Sequence, residues 1–267
     1  MSRLRVALRL PLLIALLFGG LATVLLLFPL GTERFRRWAI RRWSGLLVAA
    51  CGVTVSVRTQ PGAQPLSALA PGSFVVANHV SWMDIFVIDS RCAVSFVAKA
   101  EIARWPLVGL LVARTGNLFI ERGRRHAVHR MIERLVHALT AGARVAVFPE
   151  GTTSDGRRLL PFHANLVEAA VRARAPVVPV GVRYTDHRGG HSQAIEFIGD
   201  TSFVQSLMRV LAEPGIRCEL HLLPALSAAA ATRHDIVEQA RAALAAQLQL
   251  PLDDSLPENL RQLRRAA

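Results

Sequence analysis

A histidine followed five residues later by an aspartate is the strongest candidate for catalysis in this sequence. His79 and Asp84 lie in the segment Asn-His-Val-Ser-Trp-Met-Asp, directly after an apolar stretch. Histidine acts as a general base near neutral pH, and a carboxylate can orient its ring and stabilise the imidazolium. The segment supplies a base and an orienting group but no nucleophile. It therefore predicts a reaction in which the substrate brings its own hydroxyl group.

The same segment also fits a structural pattern. Ser81 precedes Asp84 by three residues, the spacing of a capping box at the start of a helix. In this alternative, Asp84 closes a helical turn and takes no part in the chemistry. Both interpretations place Asp84 in the first turn of a helix.

A second polar segment follows the predicted strand at residues 117–120. Glu121 and Arg122 come directly after them, at the end of a predicted strand, where α/β sheets bind ligands. The guanidinium of Arg122 could form a two-pronged contact with a phosphate or a carboxylate. An ordinary surface ion pair would have the same composition.

A third polar segment, Glu150-Gly151-Thr152, follows the predicted strand at residues 144–148. The glycine permits close approach of the backbone, and hydroxyl and N–H donors suit an anionic headgroup. A polar turn is the plain alternative. A fourth segment, residues 177–180, is apolar and can only shape a pocket or a strand edge.

Lys99 is the only lysine in a chain with 32 lysines and arginines. It follows the predicted strand at residues 93–98, which we place beside the strand that carries His79. There its compact ammonium could attract the headgroup of an acceptor substrate or the phosphates of a donor substrate. Alternatively, Lys99 is a surface residue that remains lysine by chance in an arginine-rich chain and has no special role.

Short β-rich runs alternate with helical patterns and must position these residues. The predicted strands are residues 53–58, 73–77, 93–98, 117–120, 144–148, 177–184, 194–198 and 217–223, and the predicted helices are residues 128–139, 164–173 and 228–250. This alternation predicts an α/β fold with a central mixed sheet flanked by helices.

The N-terminal segment predicts a membrane anchor. Residues 10–30 are apolar and uncharged, and a span needs about 20 such residues. Arginines rather than a small-residue cleavage site follow them, which disfavours a signal peptide. Residues 38–50 predict a basic interfacial helix. Whether the segment spans the bilayer or enters one leaflet stays open.

We divide the chain into an anchor (1–50), an α/β domain (51–227) and a C-terminal helix with a polar tail (228–267). The arginines after the apolar run place the α/β domain on the cytoplasmic face of the inner membrane.

Composition narrows the class of protein. The formal net charge is +13 and 52% of the residues are hydrophobic, which fits a folded domain attached to a membrane and attracted to anionic surfaces. A membrane-tethered nucleic-acid-binding protein is the rival class. Its arginines would be interleaved with aromatic residues, whereas here they are dispersed, so we expect no nucleic-acid partner. We also expect no metal site, and the odd number of cysteines, three, indicates reduced thiols.

Taken together and in this order, the four segments resemble the glycerolipid acyltransferase family, typified by 1-acylglycerol-3-phosphate acyltransferases. The resemblance covers residues 73–184 and implies that His79 and Asp84 are catalytic. It also implies that Arg122, Glu150 and Gly151, with Thr152 beside them, bind the acceptor's phosphate. It implies an acyl thioester donor, carried by coenzyme A or acyl carrier protein, and no cofactor.

The resemblance leads us to expect 1-acylglycerol-3-phosphate as the acceptor. One departure from the family pattern favours another lysolipid, because Thr153 stands where many members have arginine. Residues 160–166 are similar to members that acylate lyso-ornithine lipid, and lyso-ornithine lipid is therefore the alternative acceptor.

Overall fold

The fold is built on one mixed sheet of seven strands, in the order β1-β7-β6-β2-β5-β3-β4. The computed structural model describes residues 2–121, 125–229 and 231–255. The strands are β1 (Val53–Thr59), β2 (Phe74–Ala77), β3 (Ser95–Lys99), β4 (Leu118–Ile120), β5 (Val145–Val147), β6 (Val177–Asp186) and β7 (Ile216–Leu222). Strands β6, β2, β5, β3 and β4 run parallel, whereas β7 is antiparallel to β6 and β1 is parallel to β7. The predicted α/β class with a mixed sheet is confirmed.

Helices cover both faces of this sheet. They are α1 (Ser2–Ala22), α2 (Glu33–Ala50), α3 (Met83–Asp89), α4 (Val108–Arg114), α5 (Arg125–Thr140), α6 (Glu168–Ala173), α7 (Phe203–Ala212) and α8 (Arg233–Leu248). One core lies between the sheet and α1, α2, α3 and α7, and the other lies between the sheet and α5, α6 and α8.

The central strand β2 explains why this architecture forms. All four of its residues are buried, as expected for a parallel strand covered on both faces. Val75 and Ala77 face the first core, whereas Phe74 and Val76 face the second. This period-two alternation sends the carboxyl end of β2, and His79 after it, to the edge of the sheet where β5, β3 and β4 also end.

One predicted strand is wrong. Residues 194–198 do not pair with the sheet; a 3₁₀ helix forms at Gln193–Ile195 instead. Only one apolar side chain of that helix, Ile195, is buried, so the segment has no apolar face for a strand. The predicted helices at residues 164–173 and 228–250 begin later, at Glu168 and Arg233. Helices α4 and α7 were not predicted.

The position expected for Lys99 is also wrong. Its strand β3 does not lie beside β2, because β5 pairs with both and separates them. A crossover from β2 to β3 leaves room for a later strand, and sequence order alone does not reveal that insertion. Lys99 ends β3 half exposed, with its Nζ 3.4 Å from Glu101 Oε1.

The N-terminal segment folds as a helical hairpin. Helix α1 continues through a π-helical turn at Thr23–Leu27, and α2 returns along it. Trp43 Nε1 in α2 donates to the Leu16 carbonyl at 2.7 Å. The helical stretch Ser2–Leu27 has a mean hydropathy of 2.6 and is long enough to cross a membrane. We call α1, the π turn and α2 the hairpin.

Candidate active site

His79 and Asp84 come together at the carboxyl end of β2. His79 lies just beyond the strand and Asp84 lies in the first turn of α3. His79 Nδ1 is 2.8 Å from Asp84 Oδ2, and the Asp84 side chain is fully buried. The turn between strand and helix thus brings into hydrogen-bond contact two residues that cannot share one helical face. This leaves Nε2 of His79 as the ring nitrogen available to a substrate.

Four hydrogen bonds hold the Asp84 carboxylate. Besides His79, the backbone N–H groups of Val80 and Ser81 donate to Oδ2 at 2.7 and 2.9 Å. The Tyr184 hydroxyl donates to Oδ1 at 2.7 Å. Burial, followed by the charge of Asp84, raises the pKa of Tyr184 well above its ordinary value, so this phenol stays a donor. These four donors fix the orientation of the carboxylate.

The capping-box interpretation is half correct. Asp84 accepts the Ser81 N–H, as the reciprocal half of such a box requires. The other half is missing, because the Ser81 hydroxyl has no hydrogen-bond partner within the described part of the chain. Asp84 therefore closes the turn and holds His79 at the same time.

The backbone and ring of His79 are fixed from other directions as well. The Phe148 ring stacks on the imidazole with centroids 4.0 Å apart, and Phe96 stacks behind Phe148 at 5.6 Å. The Ser154 N–H donates to the His79 carbonyl at 2.8 Å. Phe148 and Ser154 both belong to the loop after β5, so the two neighbouring strands jointly position the histidine.

Glu150 lies behind His79. Its side chain is fully buried, and its Oε1 accepts the His79 N–H at 2.7 Å while Oε2 accepts the Leu160 N–H at 3.3 Å. Burial raises the pKa of Glu150 to about 8. In this position the carboxyl group ties two backbone segments of the site together.

Gly151 and Thr152 follow at the surface of the same loop, half buried. Gly151 has φ +71°, and a Cβ there would lie 3.3 Å from His163 Cδ2, so the turn requires glycine. The next residue, Thr153, donates its hydroxyl to the Phe197 carbonyl. Arg122 lies outside the described residues.

An apolar cavity of about 450 Å³ adjoins the site. The hairpin, α3, β3, α4 and the start of α7 enclose it. Phe96 belongs to its wall and stacks on Phe148, which in turn stacks on His79. His79 and the cavity are thus separated by two aromatic rings.

Two residues of the site escaped the sequence analysis. Tyr184 is the only tyrosine of the chain, which is a signal, yet nothing in its surroundings pointed to Asp84. Asn78 precedes His79, and its amide exchanges two hydrogen bonds with the Val182 backbone, at 3.0 and 2.7 Å. These bonds fix the end of β2 against β6 and bring Tyr184 into reach.

Groups that bind metals or form disulfides are not part of this site. The described residues contain no cluster of three or more histidine, cysteine or acidic side chains suited to a metal ion. Cys51, Cys92 and Cys218 are buried free thiols.

Comparison with known proteins identifies the family. A family model described as Acyltransferase matches residues 58–183. A lyso-ornithine lipid O-acyltransferase of Pseudomonas aeruginosa is 34% identical over 213 residues, 79% of this chain and 77% of that protein. A 1-acyl-sn-glycerol-3-phosphate acyltransferase of Neisseria gonorrhoeae is 42% identical over 118 residues, 44% of this chain and 46% of that protein.

The fold has a solved counterpart. The 1-acyl-sn-glycerophosphate acyltransferase of Thermotoga maritima matches with a TM-score of 0.70 over 93% of this chain and 97% of that chain, at 22% identity. With the extended similarity to the Pseudomonas protein, this confirms the resemblance found in the motifs. The chain belongs to the acyltransferase family and is a lysolipid O-acyltransferase.

Proposed function

We propose that this enzyme transfers a fatty acyl group from a thioester donor to the hydroxyl of lyso-ornithine lipid, with His79 as the general base. The observation that carries the chemistry is the 2.8 Å contact between His79 Nδ1 and a fully buried Asp84. It fixes the tautomer in which Nε2 of the neutral ring can accept a proton.

The reaction then follows from the groups present. The acceptor hydroxyl gives its proton to His79 Nε2 as its oxygen attacks the thioester carbonyl and a C–O bond forms. Asp84 stabilises the resulting imidazolium. When the tetrahedral intermediate collapses, the C–S bond breaks and the imidazolium proton passes to the leaving thiolate. The products are the ester and the free thiol.

The choice of acceptor rests on two observations. Extended similarity reaches lyso-ornithine lipid O-acyltransferases, including a second one, from Rhizobium meliloti, at 33% identity over 198 residues. The phosphatidate-type relative matches over a shorter stretch. In addition, Thr153 stands where many family members have arginine. Its hydroxyl is already engaged in a hydrogen bond to the Phe197 carbonyl. Position 153 thus provides no cation for a phosphate acceptor.

The remaining candidate residues are proposed as ligands of the acceptor. We assign Arg122 to the carboxylate of the acceptor headgroup, Gly151 and Thr152 to its polar contacts, and Lys99 to an outer anionic contact. Lys99 lies at the same edge as His79 but two strands away, about 10 Å at ordinary strand spacing. The apolar cavity is suited to an acyl chain, since its volume is typical of a pocket for a small hydrophobic ligand.

We place the enzyme on the cytoplasmic face of the inner membrane. The apolar helix supports membrane attachment. The buried, unpaired thiols are compatible with a reducing compartment, and the arginines of α2 favour the cytoplasmic side.

The test is an acceptor panel. Purified enzyme is incubated with lyso-ornithine lipid, 1-acylglycerol-3-phosphate and lysophosphatidylethanolamine, each with acyl carrier protein and coenzyme A thioesters. We expect kcat/KM to be highest with lyso-ornithine lipid. A higher value with 1-acylglycerol-3-phosphate would assign that acceptor instead, and transfer to none of the lysolipids would refute the proposal.

A further inference from the structure

Large apolar side chains are exposed on the folded domain as well as on the hairpin. On α7, Val204 and Met208 are four residues apart and share one face of the helix, and Val204 is 66% exposed. Around the start of α4, Trp105, Leu107 and Leu110 are exposed. Exposed apolar clusters of this kind mark an interaction surface.

These two groups adjoin each other. The Phe203 ring, at the start of α7, meets the Trp105 ring edge-on at 5.6 Å. The Phe203 ring also packs against the Trp82 ring, with centroids 5.1 Å apart. This contact connects the exposed rings to the core beside α3. The exposed side chains of α7 and of residues 105–110 therefore form one patch.

The patch is continuous with the hairpin. Arg5 Nε donates to the Ala212 carbonyl at 2.8 Å, and Arg9 Nη1 donates to the Leu211 and Glu213 carbonyls at 3.0 and 2.7 Å. These bonds fasten α1 to the carboxyl end of α7. The exposed leucines of α1, Leu4, Leu8 and Leu12, recur at the same four-residue spacing, so α1 adds a second apolar stripe close to that of α7.

The apolar cavity opens between the patch and the hairpin. Leu27, Trp38 and Leu46 of the hairpin line the cavity and are also exposed. Trp105 has the same double role on the opposite rim. If the hairpin rim of the cavity opening lies in lipid, the Trp105 rim lies at about the same depth in the bilayer.

We infer that the outer face of α7 and residues 105–110 form a second surface that binds an anionic lipid bilayer, so that the cavity mouth opens against the membrane. This inference rests on the membrane attachment proposed above. Tryptophan at a rim is suited to the boundary between chains and headgroups. Arg104, Arg114 and Arg209 are exposed beside the patch and can contact anionic headgroups. That charge favours lipid over a second copy of this basic chain.

Site-specific fluorescence tests the inference without disturbing the fold. Because the native cysteines are buried, a cysteine introduced at an exposed position is the thiol that reacts with a polarity-sensitive dye. Single substitutions are made in the full chain at Val204→Cys, at Leu26→Cys on the hairpin and at Leu252→Cys. Leu252 pairs with Leu159, which lies in the core on the other face of the sheet from the hairpin. The labelled proteins are reconstituted into phosphatidylcholine vesicles with one third phosphatidylglycerol.

Quenching by nitroxide-labelled lipid is then compared with quenching by aqueous iodide. We expect the labels at positions 204 and 26 to be quenched by the lipid and shielded from iodide, with the reverse at position 252. A label at 204 that behaves like the one at 252, while 26 is quenched by lipid, overturns the inference. If the label at 26 is not quenched by lipid, the hairpin attachment itself is refuted, and the inference with it.

Turnover gives a second readout. Val204→Glu combined with Met208→Glu should lower turnover of acceptor embedded in vesicles at least tenfold, roughly what the loss of two apolar contacts with lipid implies. With a short-chain, water-soluble acceptor, the variant should keep its turnover within about twofold, because the folded site is intact. Leu252→Glu is the matched control and should change neither value. Equal vesicle turnover for the double variant and the control would contradict the inference.

Discussion

His79 can act as a base only while its ring stays fixed, and several contacts at the residue scale keep it so. Asp84 holds Nδ1, Phe148 covers one ring face, and Glu150 and Ser154 hold the backbone N–H and carbonyl. Asp84 comes from the start of α3, whereas Phe148, Glu150 and Ser154 come from the loop after β5. The site therefore depends on the placement of β5 beside β2 rather than on one motif.

Replacing His79 with alanine should lower kcat by about 10²–10⁴-fold, the usual contribution of a general base. Thermal unfolding should change little, because the ring is partly exposed and its backbone contacts do not need the side chain. Turnover of the preferred lysolipid, measured beside the unfolding temperature, checks this. A variant that keeps parental turnover would remove His79 from the mechanism.

Tyr184 is expected to position Asp84. The change Tyr184→Phe removes one donor from the carboxylate and keeps the buried ring. We expect about a tenfold loss of kcat with little change in KM, since the carboxylate loses one of the donors that orient it.

Cys218 provides the control, because its side chain contacts the Tyr184 hydroxyl and it is not among the four donors to Asp84. Cys218→Ala should leave kcat unchanged. If Tyr184→Phe lowers only the unfolding temperature and keeps the kcat of Cys218→Ala, the tyrosine is merely structural.

Asp89 predicts a pH dependence of stability. It lines the apolar cavity, accepts the Val94 N–H at 3.0 Å, and burial raises its pKa from 3.8 to about 8. Between these values the folded protein retains a proton that the unfolded chain has lost. Its contribution to stability is therefore complete below pH 3.8 and falls as the pH rises towards 8, by at most about 1.4 kcal/mol per pH unit.

The change Asp89→Asn should remove this slope, because the amide oxygen can still accept the Val94 N–H and the side chain no longer titrates. Unfolding temperatures measured at pH 5, 6.5 and 8 should fall more steeply for the parent than for the variant. Parallel curves would show that Asp89 does not titrate in this range. Glu150, whose pKa is also about 8, is common to both proteins and cancels in the comparison.

The sequence identifies the site residues that are close along the chain and misses those brought in by topology. His79 and Asp84 are five residues apart, and local spacing was enough to pair them. Tyr184 meets Asp84 only because β6 lies beside β2. The burial of Glu150 depends likewise on the Leu160 backbone folding over it, which no local pattern encodes.

At the scale of elements, the strands were easier to predict than their order. Runs of valine and isoleucine between polar turns identify β1 to β7, whereas the insertion of β5 between β2 and β3 depends on a crossover formed after both. Helix α7 was missed although Ser202 and Gln205 form a complete capping box.

Neighbouring glycines of α1 give a matched test of how the hairpin packs. A Cβ at Gly20 would lie 2.7 Å from Trp43 Nε1 and 3.1 Å from Leu111 Cδ1, whereas a Cβ at Gly19 would have nothing within 4 Å. Gly20→Ala should therefore push Trp43 away and destabilise the protein by about 1–3 kcal/mol. Gly19→Ala should be neutral or stabilising, since alanine favours a helix by about 1 kcal/mol.

Unfolding temperature in detergent and turnover with a long-chain donor together check this prediction. Both should fall for Gly20→Ala and stay near the parental values for Gly19→Ala. Trp43 and Leu111 also line the cavity. A loss confined to the unfolding temperature would therefore indicate an effect on packing, and a loss confined to turnover would indicate an effect on cavity shape. Identical behaviour of the two variants would show that α1 and α2 do not pack this closely in the membrane.

For the whole molecule, the path of the chain constrains how it sits in a bilayer. Arg5 and Arg9 bind the backbone at the end of α7, so α1 starts on the folded domain. Helix α2 leads back to β1 and buries Ser44 and Val48 against that domain. The apolar run in the sequence predicted the anchor, but only these contacts show where both of its ends lie.

Both ends of the hairpin should therefore face the same side of the membrane as the catalytic domain. The arginines near the start of α2, at positions 34, 36, 37, 41 and 42, are costly in the hydrocarbon core, which favours a hairpin that lies in the interface of one leaflet. We expect cysteines introduced at Ser2 and at Leu252 to react with a membrane-impermeant maleimide from the same side, in inverted vesicles and not in right-side-out ones. Labelling of Ser2→Cys from the opposite side to Leu252→Cys would mean that α1 crosses the bilayer once and that the arginine contacts with α7 do not form in the membrane.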